Sequence, residues 1–187
     1  TQYGLQCCDT GLLETHPPRE LRSGLGELAK YHFLTGEDLA SLPLDERIAA
    51  AVRIKAAAVS ADEYERKGVR ATLNYGHTLG HALETVGKYD LRNGEAVAIG
   101  LVYAAKLARR LDRIDDARVA QHVAVVAGND LPTSIPESCE PDELVAVMQR
   151  DKERGAKDGL TFVLDGPNGV EVVECMSFDV ALAAMGD

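Results

Sequence analysis

Apolar residues recur along most of the chain at the three- and four-residue spacing of an amphipathic helix. The first helix is predicted to begin at Pro17 and Pro18, because proline is tolerated in a first helical turn. The stretch from Ala96 to Ala105 is apolar on every face, so we expect it at the centre of a helix bundle. Further helices are predicted from Leu44 to Val59, Ala71 to Val86, Gly94 to Leu111, Asp115 to Ala127 and Pro141 to Arg150.

The pattern changes after Gly155. Leu160 to Leu164 and Val170 to Val173 are short β-like runs, and the turn sequence Asp165-Gly-Pro-Asn-Gly169 separates them. A last helix is predicted from Phe178 to Met185. The sequence therefore predicts a mainly α fold, in which residues 1–187 form one multi-helix domain with a small C-terminal β-hairpin. No Gly-x-Gly-x-x-Gly lies between a strand and a helix, so no dinucleotide fingerprint is expected.

Composition and charge exclude several classes of function. The net charge of −10 argues against nucleic-acid binding, so an anionic substrate would need a local cluster of Lys and Arg. The longest apolar stretch is too short to span a bilayer, and the N-terminal residues do not resemble a signal peptide. We therefore expect a cytoplasmic protein without membrane contact. Its four cysteines match no zinc or redox spacing and are interpreted as reduced thiols: Cys7, Cys8, Cys139 and Cys175.

A pair of histidines is the first candidate for chemistry. His77 and His81 lie four residues apart, so on a helix both imidazoles project from one face. Asn74 and Arg70 extend the same face towards the N-terminus. Imidazole is a common metal ligand and a proton carrier near neutral pH, but two histidines on a solvated helix face would give the same pattern.

Charged residues elsewhere supply further candidates. Glu27 and Lys30 share one face of the first helix, where the carboxylate could bind a divalent cation and the ammonium an anion. Lys55 lies in an alanine-rich helix, and Lys152 follows the helix predicted to end at Arg150. Taken singly, these residues fit a surface ion pair and two solvated lysines better than a binding site.

Four segments contain most of these elements. They are Pro17-Pro-Arg-Glu-Leu-Arg-Ser-Gly-Leu-Gly-Glu-Leu-Ala-Lys30, Leu73-Asn-Tyr-Gly-His-Thr-Leu-Gly-His-Ala-Leu-Glu84, Gly94-Glu-Ala-Val-Ala-Ile-Gly100 and Arg150-Asp-Lys152. With these segments, the chain resembles the C-terminal domain of 3-dehydroquinate synthase over essentially its whole length from Cys8. That family converts 3-deoxy-arabino-heptulosonate 7-phosphate to 3-dehydroquinate in the shikimate pathway, using NAD and a divalent metal, usually zinc or cobalt.

The resemblance implies a role for each matching residue. Glu27 and His77 match metal ligands, and His81 matches a substrate contact and proton relay. The stretch formed by Leu12, Leu13, Glu14 and Thr15 matches one that touches NAD. Contacts with the anionic groups of the substrate are implied for Lys30, Lys55, Arg70, Asn74 and Lys152.

The sequence departs from the family pattern at three places. Asn93 stands where the family has a third metal-ligating histidine, and an amide is a weaker zinc ligand. The segment from Asp62 to Arg70 is one residue longer than usual, and Glu153 replaces a commonly basic residue.

The resemblance also implies a homodimer and an NAD-binding N-terminal half beyond these 187 residues. We therefore expect the chain alone not to turn over substrate. The alternatives are a related cyclase of the valiolone or deoxy-inosose type, or a degenerate helical interaction domain.

Overall fold

A computed structural model describes residues 8–64, 68–87, 90–152 and 159–186, without the side chains of residues 151, 152 and 175. Seven α-helices and a two-stranded sheet account for most of the described chain. The elements are α1 (Pro18–Thr35), α2 (Leu44–Ala61), α3 (His77–Val86), α4 (Asn93–Arg110), α5 (Asp116–Ala127), α6 (Pro141–Lys152), β1 (Leu160–Leu164), β2 (Glu171–Met176) and α7 (Phe178–Ala183). The prediction of a mainly α fold with a C-terminal hairpin is confirmed.

Helix α4 forms the centre of the bundle, as its uniformly apolar sequence predicts. It is buried from Gly94 to Leu107 except for the half-buried Lys106, and it packs against α1, α3, α5 and β1. Two glycines permit close crossings, because a Cβ at Gly94 would overlap the Ser23 carbonyl of α1 and a Cβ at Gly100 would overlap the Gly76 carbonyl. The crossings bring the start of α4 beside α1, and its middle beside the residues that precede α3.

The hairpin covers one end of the bundle. Strands β1 and β2 pair antiparallel, with Phe162 opposite Val173 and Leu164 opposite Glu171. The second strand begins one residue later than predicted and runs three residues further, to Met176. Helix α7 packs behind α4, where the Tyr103 hydroxyl donates to the Ala181 carbonyl at 2.8 Å. None of the described helices is long and apolar enough to cross a membrane.

The single helix predicted from Ala71 to Val86 is wrong at its N-terminal end. Residues Arg70–Asn74 form a 3-10 helix, Tyr75 is extended, and α3 begins only at His77. Gly76 has φ of 80°, a left-handed conformation that favours glycine, and its backbone packs directly against α4. This contact with another helix breaks a pattern that is locally helical. Arg70 and Asn74 therefore do not continue the helical face of His77 and His81.

Candidate metal and substrate site

A polar cavity of about 260 Å³ brings together six of the predicted site residues. They come from α1, α2, the 3-10 helix and the start of α3, so the broken helix does not separate them. Three of them are cations, although the whole chain carries a net charge of −10. The local cluster that an anionic substrate would need is therefore present. Its predicted members are Glu27, Lys30, Lys55, Arg70, Asn74 and His77, with Tyr31 and Leu73 completing the wall.

Glu27 is the acidic centre of this cavity. One carboxylate oxygen accepts from Lys30 Nζ at 2.7 Å, and the other lies 3.4 Å from His77 Nε2. Burial alone would raise the pKa of Glu27, but its interactions with His77 and Lys30 outweigh burial and lower the pKa to about 2. The carboxylate is therefore ionised at neutral pH, as a metal ligand must be.

The Tyr75 carbonyl orients the His77 ring as a metal ligand requires. Its Nδ1 lies 3.1 Å from the Tyr75 carbonyl, which can only accept a hydrogen bond, so Nδ1 carries a hydrogen. The other ring nitrogen, Nε2, then faces Glu27 Oε1. A backbone carbonyl that fixes the far nitrogen is a common support for a metal-bound histidine. Glu27 and His77 thus fit a divalent metal such as zinc or cobalt as two of its ligands.

The predicted third metal ligand, Asn93, is an amide and not an imidazole. Among the described residues, no group of three or more His, Cys, Asp or Glu could hold a metal ion, so a third ligand would be of another kind, such as an amide oxygen or a water. Asn93 is the exposed first residue of α4, and the next residue, Gly94, packs against Gly26 beside Glu27. This crossing brings the α4 start to the same part of α1. Ligation by Asn93 remains a prediction.

A bidentate ion pair fixes the start of α4. Arg19 Nε and Nη2 each donate to a carboxylate oxygen of Glu95 at 2.8 Å. The hydrogen bonds from Arg19 lower the pKa of Glu95, and Glu95 in turn caps the backbone N–H of Arg92 at 2.9 Å. Neither residue was singled out from the sequence. Both lie within the segments that carry the family resemblance, but only their pairing across 76 positions reveals the role.

His81 lies outside the Glu27 cavity, in a neighbouring one of about 240 Å³. Its ring is exposed and meets the His77 ring edge-on, with the centroids 5.5 Å apart. The two cavities share Asn74 and His77, so a substrate spanning them could touch both histidines. Sequence reasoning missed the remaining walls of this cavity, Met148, Leu160 and Thr161, because α6 and β1 reach it only through the tertiary fold.

The three remaining predicted anion contacts differ in how well they are placed. Lys55 is exposed on α2 and faces the Glu27 cavity. Arg70 lines the same cavity and donates from Nη1 to the Glu63 carbonyl at 3.1 Å. The lengthened segment before Arg70 includes residues 65–67, which lie outside the described residues. Glu153, the other departure from the family pattern, lies outside them too. Lys152 is the last residue of α6, and its side chain lies outside the described part of the chain.

The predicted NAD contacts form part of a 3-10 helix, Thr10–Thr15, at the surface. Asp9 caps it by accepting from the Gly11 N–H at 3.0 Å, and the Thr15 hydroxyl donates to the Leu12 carbonyl at 2.8 Å. Leu12 is 66% exposed, which leaves an apolar side chain available to a ligand or another domain. The roles of Leu12, Leu13, Glu14 and Thr15 in binding NAD remain predictions.

Comparison with known proteins agrees with this geometry. The family model described as 3-dehydroquinate synthase C-terminal matches residues 24–154, well over half of the chain. The chain belongs to the 3-dehydroquinate synthase family. The match includes every predicted metal ligand and every predicted anion contact, and it ends before the hairpin.

Two relatives of this 3-dehydroquinate synthase family member differ in their names. A protein of Amycolatopsis mediterranei, provisionally named aminodehydroquinate synthase, is 50% identical over 166 residues, covering 89% of this chain and 46% of its own. The 3-dehydroquinate synthase of Mycobacterium leprae is 40% identical over 172 residues, covering 84% and 47%. The chain therefore spans about half the length of the curated relatives it matches.

Solved structures share the fold of this domain. A 2-deoxy-scyllo-inosose synthase complexed with carbaglucose-6-phosphate, NAD⁺ and Co²⁺ aligns with a TM-score of 0.82 at 25% identity, covering 95% of this chain and 55% of that one. A 2-epi-5-epi-valiolone synthase from Streptomyces hygroscopicus with bound NAD⁺ and Zn²⁺ aligns with a TM-score of 0.72 at 23% identity, covering 95% and 53%. The family is thus one of sugar-phosphate cyclases.

Proposed function

We propose that this chain is the metal- and substrate-binding half of a sugar-phosphate cyclase that eliminates phosphate from 3-deoxy-arabino-heptulosonate 7-phosphate and forms 3-dehydroquinate. The observation that supports the proposal best is the Glu27 cavity, in which three cations surround a paired carboxylate and imidazole. A substrate with both a phosphate and a carboxylate needs two cationic contacts, and an acidic protein offers them only in such a cluster.

The proposal gives each residue of the cavity a role that suits its chemistry. Lys30 is only 5% exposed and reaches the cavity as a compact positive charge, whereas Arg70 offers a planar fork suited to two oxygens of one anion. Asn74 supplies an amide to both cavities. When bound between Glu27 and His77, a divalent metal would polarise the substrate's hydroxyl or ketone oxygen. In this proposal, His81 carries a proton at the neighbouring cavity, which it lines.

In this proposal, NAD accepts and returns the hydride and is held mainly by a separate nucleotide-binding half. The exposed Leu12 and its neighbours would touch it from this side of the cleft. The solved relatives with bound NAD⁺ and Co²⁺ or Zn²⁺ support this division, because each is nearly twice the length that this chain covers.

A second substrate is favoured by one specific observation. The Amycolatopsis relative named for an amino-substituted product is 50% identical, against 40% for the Mycobacterium leprae 3-dehydroquinate synthase. An amino-substituted heptulosonate phosphate would present the same two anionic groups to Lys30, Lys55 and Arg70. We therefore propose this amino analogue as the alternative substrate.

A metal-binding measurement tests the first half of the proposal. We expect the chain to retain about one equivalent of zinc or cobalt in equilibrium dialysis at micromolar concentration. Glu27→Gln and His77→Gln should each weaken binding by about tenfold or more, because each removes a ligand. Glu37→Gln, an exposed carboxylate just beyond α1, is the charge-matched control and should bind like the wild type. Retention of less than about a tenth of an equivalent by the wild type would contradict the proposed metal site.

A reconstitution assay tests the second half. The chain is mixed with the separately produced nucleotide-binding half of the Amycolatopsis relative, NAD and cobalt, and phosphate release is followed with each of the two heptulosonate phosphates. Release should require both halves, and the preferred substrate is the one with the higher kcat/KM. Phosphate release by the isolated chain would contradict the proposed division. Activity with a valiolone-type or inosose-type substrate instead would assign the chain to another branch of the family.

A further inference from the structure

Tyr75 lies in the turn between two residues of the candidate site, Asn74 and His77, yet its own side chain points away from both cavities. It is fully buried, and its hydroxyl lies 2.9 Å from Nε2 of His122 on α5. Its backbone carbonyl is the group that accepts from His77 Nδ1. One residue thus joins the interior of the bundle to the ring orientation of a predicted metal ligand.

The direction of the Tyr75–His122 hydrogen bond follows from the other contact of the histidine. His122 Nδ1 lies 2.8 Å from the Arg118 carbonyl, which can only accept, so Nδ1 carries a hydrogen and Nε2 is the acceptor. The Tyr75 hydroxyl is therefore the donor. Burial lowers the pKa of His122 to about 4 and raises the pKa of Tyr75 well above its ordinary value, so at neutral pH both groups keep these roles.

The acceptor is rigidly placed. The His122 ring stacks on Phe33 of α1, with centroids 3.6 Å apart and planes 7° apart, and it is fully buried. The Tyr75 ring meets Phe33 edge-on at 6.5 Å and His122 edge-on at 6.0 Å. Stacking fixes the plane of the imidazole and the Arg118 carbonyl fixes its rotation within that plane. The position of Nε2, and hence of the hydroxyl that donates to it, is set from two sides.

The turn that carries Asn74 and His77 depends on such anchors, because it lies outside the helices on either side. The 3-10 helix ends at Asn74, Tyr75 is extended and Gly76 is left-handed. Packing of Gly76 against α4 holds the turn by shape, and the Thr78 hydroxyl donates to the Thr161 carbonyl on β1 at 3.3 Å, beyond the turn. The Tyr75 hydroxyl connects the turn to a further element, α5.

We propose that Tyr75 and His122 form a positioning pair, in which the hydroxyl–imidazole hydrogen bond fixes the turn so that the Tyr75 carbonyl holds the His77 ring with Nε2 towards Glu27. Only its consequence for metal binding rests on the proposed function. The orientation of the His77 ring is a property of the chain itself. A merely structural role for the pair would lower stability without changing the His77 ring.

Nitrogen-15 NMR of the histidine side chains tests the pair directly. In the wild type near pH 7.5, we expect His77 and His122 each to carry the hydrogen on Nδ1. Tyr75→Phe removes only the hydroxyl and should leave His77 as a mixture of tautomers. Tyr103→Phe is the matched control, because Tyr103 is also a buried tyrosine that donates at 2.8 Å, but to Ala181 on α7. It should leave His77 unchanged.

Cobalt binding gives a second readout, from the visible absorption of the bound ion. We expect Tyr75→Phe to weaken cobalt affinity by about three- to tenfold, at the lower end of the effect of an outer-shell partner, and Tyr103→Phe to stay within about twofold of the wild type. Equal losses in both variants would overturn the pair, as would a wild-type His77 without a hydrogen on Nδ1 or a His77 ring unchanged by Tyr75→Phe. A wild type that binds no cobalt would refute the proposed function, while the tautomer measurement would still decide the pair.

Discussion

Two histidine environments in this domain share one hydrogen-bond arrangement and use it differently. In the His77 cavity, formed by the residues around Glu27, Nδ1 of His77 is held by the Tyr75 carbonyl and Nε2 faces a carboxylate. In the His122 core, formed by Phe33, Tyr75 and His122, Nδ1 is held by the Arg118 carbonyl and Nε2 accepts from a phenol. The same carbonyl contact to Nδ1 serves a cation-lined cavity in one place and a fully buried aromatic cluster in the other.

The charges around the two environments explain the difference. In the His77 cavity, Lys30, Lys55 and Arg70 share one carboxylate, Glu27, so positive charge is in excess. Beside the His122 core, Arg118 donates to Asp165 at 2.6 Å, and the charges compensate each other. A larger cavity of about 850 Å³ borders that core, yet its arginines are engaged in ion pairs. Excess charge, and not cavity volume, therefore marks the site.

The largest effect is expected where both environments would be disturbed together. Gly100 of α4 packs against the Gly76 carbonyl, between Tyr75 and His77, and a Cβ there would overlap that carbonyl. Gly100→Ala should lower the free energy of unfolding by about 3 kcal/mol or more, because backbone and not a flexible side chain must move. Urea unfolding followed by circular dichroism measures the change.

The control for that substitution is Gly24→Ala on α1, where no atom lies within 4 Å of the added Cβ. It should raise stability by about 0.5–1 kcal/mol, the helix preference of alanine over glycine. A Gly100→Ala variant within about 1 kcal/mol of the wild type would show that the crossing of α4 over the turn is looser than described.

The next largest effect is the response of the His122 core to acid. The pKa of His122 falls to about 4 from an ordinary 6.5, mainly because of burial, with Arg118 and His32 lowering it and Asp165 opposing them. The unfolded chain then binds more protons between these pH values, so the contribution of His122 to stability is full above pH 6.5 and is lost as the pH falls towards 4. This loss lowers the free energy of unfolding by at most about 3 kcal/mol.

A variant that cannot titrate isolates this contribution. His122→Gln should be less stable than the wild type at pH 7, because it loses the stack on Phe33, and the gap should narrow steadily as the pH falls to 4.5. Urea unfolding of both proteins across this range gives the difference, in which the carboxylates common to both cancel. A gap that stays constant would mean that His122 keeps its charge state on unfolding.

An element could be predicted from the sequence wherever its own hydrophobic pattern or turn sequence determines its structure. The apolar run of α4 predicted a central helix, and alternation with a turn sequence predicted the hairpin. The start of α3 could not be predicted, because Tyr75 and Gly76 fit a helical pattern locally and only the contact with Gly100 breaks it. Tertiary packing overrides local preference at that position.

The site was predictable by resemblance more than by pattern. Spacing linked His77 to Arg70, Asn74 and His81, whereas the structure also pairs His77 with Glu27 across 50 positions of sequence. The Tyr75–His122 bond left no signal, since His122 occupies an ordinary position of the helix predicted from Asp115 to Ala127. Long-range pairs of this kind follow from the crossing of helices, which periodicity does not encode. Asn93 is the opposite case, a departure visible in the sequence whose consequence depends on side-chain geometry.

The smallest effect is expected from a substitution that alters the His77 cavity and leaves the His122 core unchanged. Asn93→His should strengthen zinc or cobalt binding by about tenfold, because imidazole is the better ligand beside Glu27 and His77. Isothermal titration measures the gain, and the stability of the metal-free protein should stay within about 0.5 kcal/mol, since Asn93 is exposed. Asn93→Ala is the complementary variant and should bind metal more weakly than the wild type. If neither substitution changes the affinity, Asn93 does not face the metal, and a third ligand would have to come from solvent, from substrate or from elsewhere in the protein.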